Sequence, residues 1–324
     1  MNGRLLVLSP NWLGDAVMAL PALAAVQAAW HGPVDVAARP AVGPLFTLVR
    51  GVDQIVTLDR GTRSAESLRR AGYAAALLLT NSFQTAWLVR AAGIPERWGY
   101  RADGRSWLLT RAVARPLRLH QVDYYRGLTT ALGYPGGPEH PQIEAPADRR
   151  HEGHALLSAA GWDRVTPLVA LAPGAAFGSA KRWPSASYGT LASRLAQSRL
   201  MPVLIGGPGD RRAGDEVRAA WPGAVVDLIG RTDLPQLAGV LSHCRTLVTN
   251  DSGAMHFAAA LGLDVVVMFG PTRETETYPR GAGRHAFLKH DVWCRPCMLR
   301  ECPLTHRCMT GISVEAAHAA VVHR

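Results

Sequence analysis

The chain has 324 residues, of which 48% are hydrophobic and 19% are charged, and its formal net charge is +10. This length and composition exclude an intrinsically disordered protein and favour two domains, each with a core of its own. No stretch approaches the roughly 20 consecutive apolar residues of a membrane-spanning helix, and the first residues lack a signal-peptide pattern, so we expect a cytosolic protein.

The first half of the chain alternates short apolar runs with helical patterns. We predict strands over residues 4–9, 34–37, 54–58 and 75–80, and a helix over residues 16–30. Strands that alternate with helices are typical of a parallel sheet with helices on both faces. Residues 133–149 are rich in proline, glycine and charge, which indicates the end of this domain or the start of a linker.

The second half repeats this pattern. Predicted strands cover residues 168–172, 202–206, 225–228, 246–249 and 265–269, and predicted helices cover residues 187–197 and 234–243. We therefore predict an α/β protein with two tandem doubly wound domains, residues 1–160 and 161–324, and a cleft between them. The last helix is a candidate for packing back on the first domain. Ligands of such sheets bind at the carboxyl ends of the strands.

One lysine stands out in the turn after residues 168–172. Only two of the 35 lysines and arginines are lysine, Lys181 and Lys289. Lys181 follows the sequence PGAAFGSA, whose glycines suit a loop that approaches a ligand closely. Backbone N–H groups in such a loop, together with a compact ammonium group, suit a phosphate. The alternative is a lysine on a solvated turn.

A second turn lies in the sequence TNDSGAMHFAAALG, which starts at Thr249, ends a predicted strand and begins a helix. The first N–H groups of a helix are unpaired and carry the positive end of its dipole, so this turn is a candidate pyrophosphate site. Asp251 or Ser252 could also be the helix N-cap, a role that is compatible with a ligand at Gly253.

Two further acids follow glycines at strand ends. Asp210, after the sequence GGPG, could accept hydrogen bonds from ribose hydroxyls or could cap a helix. Asp15, at the end of the sequence NWLGD, could be a general base that takes the proton from an attacking sugar hydroxyl. The alternative for Asp15 is an N-cap or an acid of the first helical turn.

Arginines accumulate between residues 97 and 118, where Asp103 is the one acid. Such a run suits a phosphorylated partner or an anionic membrane surface, or it is a solvated face of the protein. No recognised nucleic-acid-binding motif occurs in the sequence, so we expect no nucleic-acid partner.

Four of the five cysteines lie in one short stretch that also contains His306, namely Cys294, Cys297, Cys302 and Cys308. They could hold a structural zinc ion or could pack as buried thiols. Disulfides are disfavoured in the cytosol.

Several common signatures are absent from the sequence. No G-x-G-x-x-G follows the first strand, which argues against a nicotinamide-dependent dehydrogenase, and no P-loop sequence occurs. No Asp-x-Asp occurs, so we expect no metal and no cofactor, and a diphosphate would be held by the helix terminus and Lys181. These features indicate a two-domain sugar transferase with a nucleotide-diphosphate leaving group.

The motifs also resemble a known family. NWLGD at residues 11–15, PGAAFGSAKRWP at 173–184, NDSGAMHFAAALG at 250–262 and CRPCMLRECPLTHRCM near the end resemble the ADP-heptose:lipopolysaccharide heptosyltransferases, in particular members that add the second inner-core heptose. The resemblance implies a cytoplasmic, inverting, metal-independent glycosyltransferase of the B fold, with two Rossmann-like domains, in a Gram-negative bacterium. It implies that the first domain binds the anionic Kdo-lipid A core and that the second binds ADP-heptose.

The resemblance also implies roles for individual residues. Asp15 matches the general base, Lys181 matches the contact to the donor phosphates, and Ser252 and Gly253 match the helix end that holds the diphosphate. Asp251 could bond to the heptose.

Further assignments complete the site. His256 matches a donor-site position, with a structural helix histidine as the alternative, and Asp210 matches a ribose-binding acid loosely. Arg97, Arg101 and Arg105 are the candidates for acceptor binding, and the arginine run could bring the protein into peripheral contact with the inner membrane.

Other functions stay open at this point. The enzyme could add the first heptose or another sugar, because acceptor choice depends on first-domain loops such as residues 80–85 and 97–118. A sugar-nucleotide epimerase or a nucleotide-binding regulator of similar fold is a more distant alternative.

Overall fold

The computed structural model describes residues 3–58 and 63–323. The chain divides into two compact units, Met1–Ile143 and Glu144–Arg324.

The first unit is built on a parallel sheet of six strands among its described residues. The strands are β1 (Leu5–Leu8), β2 (Val34–Ala38), β3 (Ile55–Thr57), β4 (Ala75–Leu78), β5 (Glu96–Tyr100) and β6 (Arg111–Val113). The α-helices are α1 (Leu13–Met18), α2 (Leu20–Ala29), α3 (Arg63–Ala71), α4 (Phe83–Ala91) and α5 (Gln121–Ala131). The strand order is β3-β2-β1-β4-β5-β6, and each neighbouring pair is parallel.

The second unit also has a parallel six-stranded sheet, counted over the part of the unit that the structure describes. Its strands are β7 (Leu168–Ala172), β8 (Met201–Leu204), β9 (Val226–Asp227), β10 (Cys244–Asn250), β11 (Asp264–Phe269) and β12 (His285–Lys289). Its α-helices are α6 (Ala147–Ala159), α7 (Ser185–Gln197), α8 (Arg211–Ala220), α9 (Leu234–Leu241), α10 (Gly253–Ala260), α11 (Glu274–Thr277), α12 (Arg307–Thr310) and α13 (Val314–Val322). The strand order is β12-β11-β10-β7-β8-β9.

Both sheets have the same topology, which positions the candidate site. In each unit the first strand pairs with the second on one side and with the fourth on the other, so the chain reverses its direction of winding there. In doubly wound sheets the loops that leave these two strands diverge and open a crevice for ligands. The crevice of the first unit lies after β1 and β4, and that of the second unit lies after β7 and β10. The predicted doubly wound fold is confirmed.

The central strands are buried on both faces because helices cover them. Each residue of β1, β4 and β7 is buried, as is typical of parallel sheets. Burying one such leucine or valine side chain stabilises the fold by roughly 1.5–3 kcal/mol, so these short runs hold the loops at their carboxyl ends in place.

The boundary between the units differs from the predicted one at residue 160, because α6 belongs to the second unit. This helix packs so tightly against α9 that a Cβ on Gly153 would lie 2.2 Å from the backbone carbon of Gly239. The last helix, α13, also packs within the second unit, where Ala317 and Val321 join the core.

The predicted strands are found with small shifts at their ends, but three observed strands were not predicted. These are β5, β6 and β12, which carry charged residues and lack the continuous apolar runs of the central strands. The predicted helix over residues 16–30 is two helices that meet at Ala19, with Pro21 in the first turn of the second. No helix within the described residues is long and apolar enough to cross a membrane.

Candidate active site

Two loops meet at the crevice of the second unit. Lys181 lies in the loop after β7 and Asp251 in the loop after β10, and the Lys181 Nζ lies 2.6 Å from Oδ2 of Asp251. The hydroxyl of Thr272, after β11, donates to the same carboxylate oxygen at 2.6 Å. The side chains of Lys181 and Asp251 are only 12% and 5% exposed. Lys181 is therefore held in a partly desolvated ion pair, and the solvated-turn alternative is wrong.

The same point is the N-terminus of α10. Ser252 is the N-cap by its backbone conformation, but its side chain makes no capping hydrogen bond and lies 3.2 Å from the Thr249 hydroxyl. The Asp251 carboxylate faces Lys181 and Thr272 instead. The first backbone N–H groups of α10, from Gly253 onward, carry the positive end of the helix dipole beside a lysine. This combination suits a diphosphate.

Asn250 is a structural residue of the site that the sequence analysis did not single out, although it lies in the quoted NDSG motif. Its side-chain amide donates to the carbonyls of Pro173 and Gly174 at 2.9 and 3.1 Å. Its carbonyl oxygen accepts from the backbone N–H of Trp183 at 2.9 Å. One buried side chain therefore ties both ends of the Lys181 loop to β10.

Asp210 lies against the same loop. Its Oδ2 accepts a hydrogen bond from the backbone N–H of Gly207 at 3.0 Å, and a Cβ on Gly174 would lie 2.0 Å from its Oδ1. Asp210 is also the N-cap of α8 by position, although its side chain makes no capping bond to that helix. Glycine at position 174 is required for this close approach, so the carboxylate is fixed at the edge of the crevice.

The cysteine-rich segment, residues 294–308, braces the Lys181 loop. The backbone N–H of Ala180 donates to the carbonyl of Arg300 at 3.0 Å, and the Ala180 carbonyl lies 2.7 Å from Nε2 of His306. Lys181 and Arg300 both make cation–π contacts with the Phe177 ring: the Lys181 Nζ lies 4.7 Å and the Arg300 Cζ 5.2 Å from the ring centroid. This segment therefore fixes the backbone next to Lys181.

The cysteine-rich segment also holds the loop that carries Thr272. The nearly buried guanidinium of Arg295 donates to the carbonyl of Gly270 at 2.7 Å and pairs with Glu274 at 2.9 Å. The backbone N–H of Met298 donates to the Pro271 carbonyl at 2.9 Å. No sequence motif indicates this role, because it depends on contacts between distant parts of the chain.

The thiols of the segment are free, as is that of Cys244 in β10. Cys308 is buried, and burial, followed by the neighbouring Cys302, raises the pKa of its thiol. Across the described chain, no group of three or more His, Cys, Asp or Glu side chains is arranged to hold a metal ion. The zinc and buried-thiol alternatives for this segment both stay predictions.

His256 lies on α10, one turn after Gly253, and is 6% exposed. Its burial is compatible with both alternatives stated for it, so its role in donor binding stays a prediction.

Asp15 lines a pocket of about 220 Å³ in the first unit, at the crevice after β1 and β4. The lining residues come from the loops after these two strands, from the start of α1, from the segment that follows β6, and from α5 itself. They are Pro10, Asn11, Trp12, Asp15, Leu79, Thr80, Asn81, Ser82, Arg115, Gln121, Tyr124 and Tyr125. Asp15 is the third residue of α1, and Trp12 rather than Asp15 is the N-cap. An exposed tryptophan, tyrosines and polar side chains around one carboxylate are suited to a sugar hydroxyl.

Tyr125 is a close neighbour of Asp15. Burial, together with the negative charge of Asp15, raises the pKa of the Tyr125 hydroxyl well above its ordinary value. The hydroxyl therefore stays protonated at neutral pH and does not act as a base there.

The three arginines expected to bind the acceptor make structural contacts. The Arg105 guanidinium is buried and donates to the carbonyls of Tyr100 and Ser82, and burial lowers its pKa to about 10. Arg97 donates to the Leu108 carbonyl at 2.7 Å, and Arg101 to that of Ala112 at 3.0 Å.

These contacts argue against acceptor binding by Arg97 and Arg105, because their guanidinium groups bind backbone carbonyls. Arg101 is exposed and bonds through Nε, so its acceptor-binding role stays a prediction. The arginine that lines the Asp15 pocket is Arg115, which the sequence analysis included only as part of the run.

Comparison with known proteins supports a transferase. The profile of glycosyltransferase family 9 (heptosyltransferase) matches residues 61–307. Lipopolysaccharide heptosyltransferase 2 of Escherichia coli K12 is 32% identical over 302 residues, 85% of each chain. Lipooligosaccharide heptosyltransferase 2 of Haemophilus ducreyi is 29% identical over 308 residues, 85% of this chain and 86% of the other.

A solved structure gives the same result. The structure of E. coli ADP-heptose lps heptosyltransferase II superposes with a TM-score of 0.83 and 28% identity, covering 98% of this chain and 97% of the other. Two tandem doubly wound units with this likeness define a glycosyltransferase of the B fold. The chain belongs to glycosyltransferase family 9, the heptosyltransferases.

Proposed function

We propose that the enzyme transfers heptose from ADP-L-glycero-D-manno-heptose to the first heptose of the lipopolysaccharide inner core, with inversion and without a metal ion. The observation that carries this proposal is the buried Lys181–Asp251 pair beside the N-terminus of α10. Family membership and the type-2 names of the relatives support heptose transfer in the synthesis of the lipopolysaccharide core. The reaction would take place on the cytoplasmic side of the inner membrane.

The donor is assigned to the second unit. Lys181 and the N–H groups that begin with Gly253 contact the diphosphate, and Ser252 lies at the same helix end. Asp251 and His256 face the heptose, and Asp210 accepts hydrogen bonds from the ribose hydroxyls. Positive charge from the lysine and the helix dipole replaces the divalent ion that other transferases use.

The acceptor is assigned to the Asp15 pocket of the first unit. Asp15 accepts the proton of the attacking hydroxyl, and Arg115 supplies positive charge toward the anionic core. Arg115 takes this role in place of Arg97 and Arg105, because the guanidinium groups of those two bind backbone carbonyls, and the exposed Arg101 stays a candidate beside it.

The chemical step follows from these assignments. The acceptor oxygen attacks the anomeric carbon on the face opposite ADP, its proton passes to Asp15, and the bond from the anomeric carbon to the phosphate oxygen breaks. Negative charge grows on the departing diphosphate, where Lys181 and the α10 N–H groups stabilise it. Donors fixed in advance at such a position lower the barrier because they bind the transition state better than the ground state.

One alternative reaction deserves a test. Transfer of the first heptose, or of another sugar, would use the same donor site and a different acceptor, because acceptor choice depends on the first-unit loops. We do not propose an epimerase or a nucleotide-binding regulator, because the family is one of glycosyltransferases.

The experiment measures ADP release from ADP-heptose with purified lipid A cores that carry no heptose or one heptose. We expect release only with the one-heptose core, and its loss in Asp15→Asn but not in Asp148→Asn, an exposed matched control. Release with the heptose-free core would assign the first-heptose reaction, and release unaffected by Asp15→Asn would contradict the general base. Activity should persist in a chelator; a loss that Mg²⁺ restores would contradict metal independence.

A further inference from the structure

The first unit exposes a cluster of three aromatic side chains, which we call the aromatic patch: Phe83, Trp87 and Trp107. Their exposed fractions are 36%, 51% and 62%. The rings contact one another, with centroids 6.2–6.5 Å apart in all three pairs. A solvent-exposed cluster of this kind contributes little to the core, so its apolar surface is available to a partner.

The aromatic patch adjoins the Asp15 pocket. Phe83 and Trp87 lie on α4, whose N-cap, Ser82, lines that pocket. The backbone N–H of Phe83 donates to the Asp103 carboxylate at 2.7 Å, which ties the start of α4 to the loop after β5. The patch is thus fixed beside the loops to which the acceptor has been assigned.

The stretch of chain that carries the aromatic patch is rich in positive charge. Residues 83–118 contain seven arginines and two acids, Glu96 and Asp103. Five of these arginines are exposed: Arg90, Arg101, Arg111, Arg115 and Arg118. Arg90 follows Trp87 by three residues on α4, so the two side chains share one helix face. An anionic partner complements this surface.

Two more exposed apolar side chains belong to the same arginine-rich run. Leu117 and Leu119, in the segment after β6, are 80% and 42% exposed and flank Arg118. The backbone of Arg118 has a φ of 56°, in the left-handed region, so the leucines lie on a sharp bend rather than on a regular strand or helix.

We propose that the aromatic patch, together with Arg90 on α4 and Arg115 at the adjoining pocket, docks the first unit on the interface of an anionic lipid bilayer. Tryptophan prefers the membrane–water interface, where its ring is buried and its N–H is solvated, and arginine binds lipid phosphates. The inference rests on the proposed function in one respect, because a lipid-anchored acceptor must be reached at a bilayer surface. Docking beside the Asp15 pocket brings the acceptor head group to the site.

The test is sedimentation of the full chain with acceptor-free vesicles. Vesicles of phosphatidylethanolamine and phosphatidylglycerol are compared with vesicles of phosphatidylcholine alone, for wild type, for Trp87→Ser/Trp107→Ser and for Trp293→Ser. Trp293 is 89% exposed in the second unit and provides the matched control.

We expect wild type and Trp293→Ser to bind the anionic vesicles, more weakly as salt rises. Binding by the double variant should fall about tenfold or more, since the burial of two large rings is lost. Equal binding of all three proteins, or no binding of wild type, would overturn the proposal. Thermal melts of the variants check that the fold is retained.

A second measurement separates docking from other uses of the patch. Transfer to a deacylated, water-soluble acceptor should be unchanged in Trp87→Ser/Trp107→Ser, whereas transfer to vesicle-embedded acceptor should fall. An equal fall with both acceptors would show that the patch binds the sugar and would overturn the proposal. A dimer in the wild-type protein that is lost in the double variant would show that the patch binds a second copy and would also overturn it. Vesicle binding needs no donor, so its outcome is independent of the proposed reaction.

Discussion

Lys181 and Asp251 are 70 residues apart in the chain, yet the lysine Nζ lies 2.6 Å from the aspartate Oδ2. They meet because β7 and β10 are neighbours in the sheet, so that the loops at their carboxyl ends open at one point. The pair is nearly buried, and the N-terminus of α10 begins beside it. In such surroundings a lysine charge is weakly screened and acts strongly on a phosphate.

Replacing Lys181 should reduce turnover strongly. Lys181→Ala should lower kcat about 10²–10³-fold, equivalent to about 2.7–4 kcal/mol, because one preorganised donor to the departing diphosphate is lost. Lys181→Arg should also be impaired, because a planar guanidinium does not fit a site built for a compact ammonium. Steady-state ADP release measures both effects.

The matched control for Lys181 is Lys289→Ala, since Lys289 is the other lysine and forms a more exposed pair with Glu274. Its kcat should match that of wild type. Near-normal turnover by Lys181→Ala would contradict the assignment, and full activity of Lys181→Arg would mean that charge alone suffices.

Removal of the Thr272 hydroxyl should weaken donor binding. Thr272→Val deletes the hydrogen bond to Asp251 Oδ2, and the bond from Lys181 to that oxygen remains. A hydrogen bond to a charged group contributes about 1.5–3 kcal/mol, so KM for ADP-heptose should rise roughly tenfold. Initial-rate kinetics at saturating acceptor provide the measurement.

Thr277→Val is the corresponding control, because the Thr277 hydroxyl is buried and has no hydrogen-bond partner among the described residues. This change should leave KM unaltered. If Thr272→Val behaves like Thr277→Val, the Thr272 bond does not position Asp251.

A methyl group at position 174 should disturb Asp210. Gly174→Ala would place its Cβ 2.0 Å from the Asp210 carboxylate, so the loop or the acid must move. We expect a higher KM for the donor, and the double variant Gly174→Ala/Asp210→Ala should be less impaired than the sum of the two single changes, because they act at one contact.

Gly209→Ala serves as the comparison, since a Cβ there has no atom within 4 Å. Strict additivity of Gly174→Ala and Asp210→Ala, or a similar loss in Gly209→Ala, would show that the contact at Gly174 does not position Asp210.

The reactivity of the thiols should depend on burial. Burial raises the pKa of Cys244 to about 12, so the neutral thiol predominates until the pH approaches that value. Its thiolate fraction at pH 8 is on the order of 10⁻⁴, and alkylation should be negligible there. Partly exposed Cys294, Cys297 and Cys302 should react first.

Mass spectrometry after iodoacetamide treatment at pH 8 tests this order, with unfolded protein as the control in which all five thiols react. Modification of Cys244 as fast as Cys297 in the folded protein would contradict the burial of β10.

The turns that carry the candidate site residues were predictable because the residues of each turn are contiguous in the chain. The Lys181 loop was indicated by glycines after an apolar strand and by a lysine in a chain whose other basic residues are nearly all arginine. The Asp15 loop was indicated by a glycine after the first strand and an acid at the first helix. Strands β5, β6 and β12 were not predictable from continuous apolar runs, because they carry charged residues. The domain boundary was placed too late because α6 is assigned by its contact with α9 rather than by any local signal.

By itself, the sequence determined the α/β class, the two-domain organisation, the family resemblance and the positions of the loops, since these depend on local pattern and spacing. Only the tertiary structure decided that Asn250 and the cysteine-rich segment hold the Lys181 loop and that Thr272 bonds to Asp251. It also decided that Arg105 supports the backbone while Arg115 lines the pocket. The physical reason is that a side chain's role depends on which groups compete for its hydrogen bonds. Those groups come from distant parts of the chain and are brought together only by the packing of helices on the sheet within each unit.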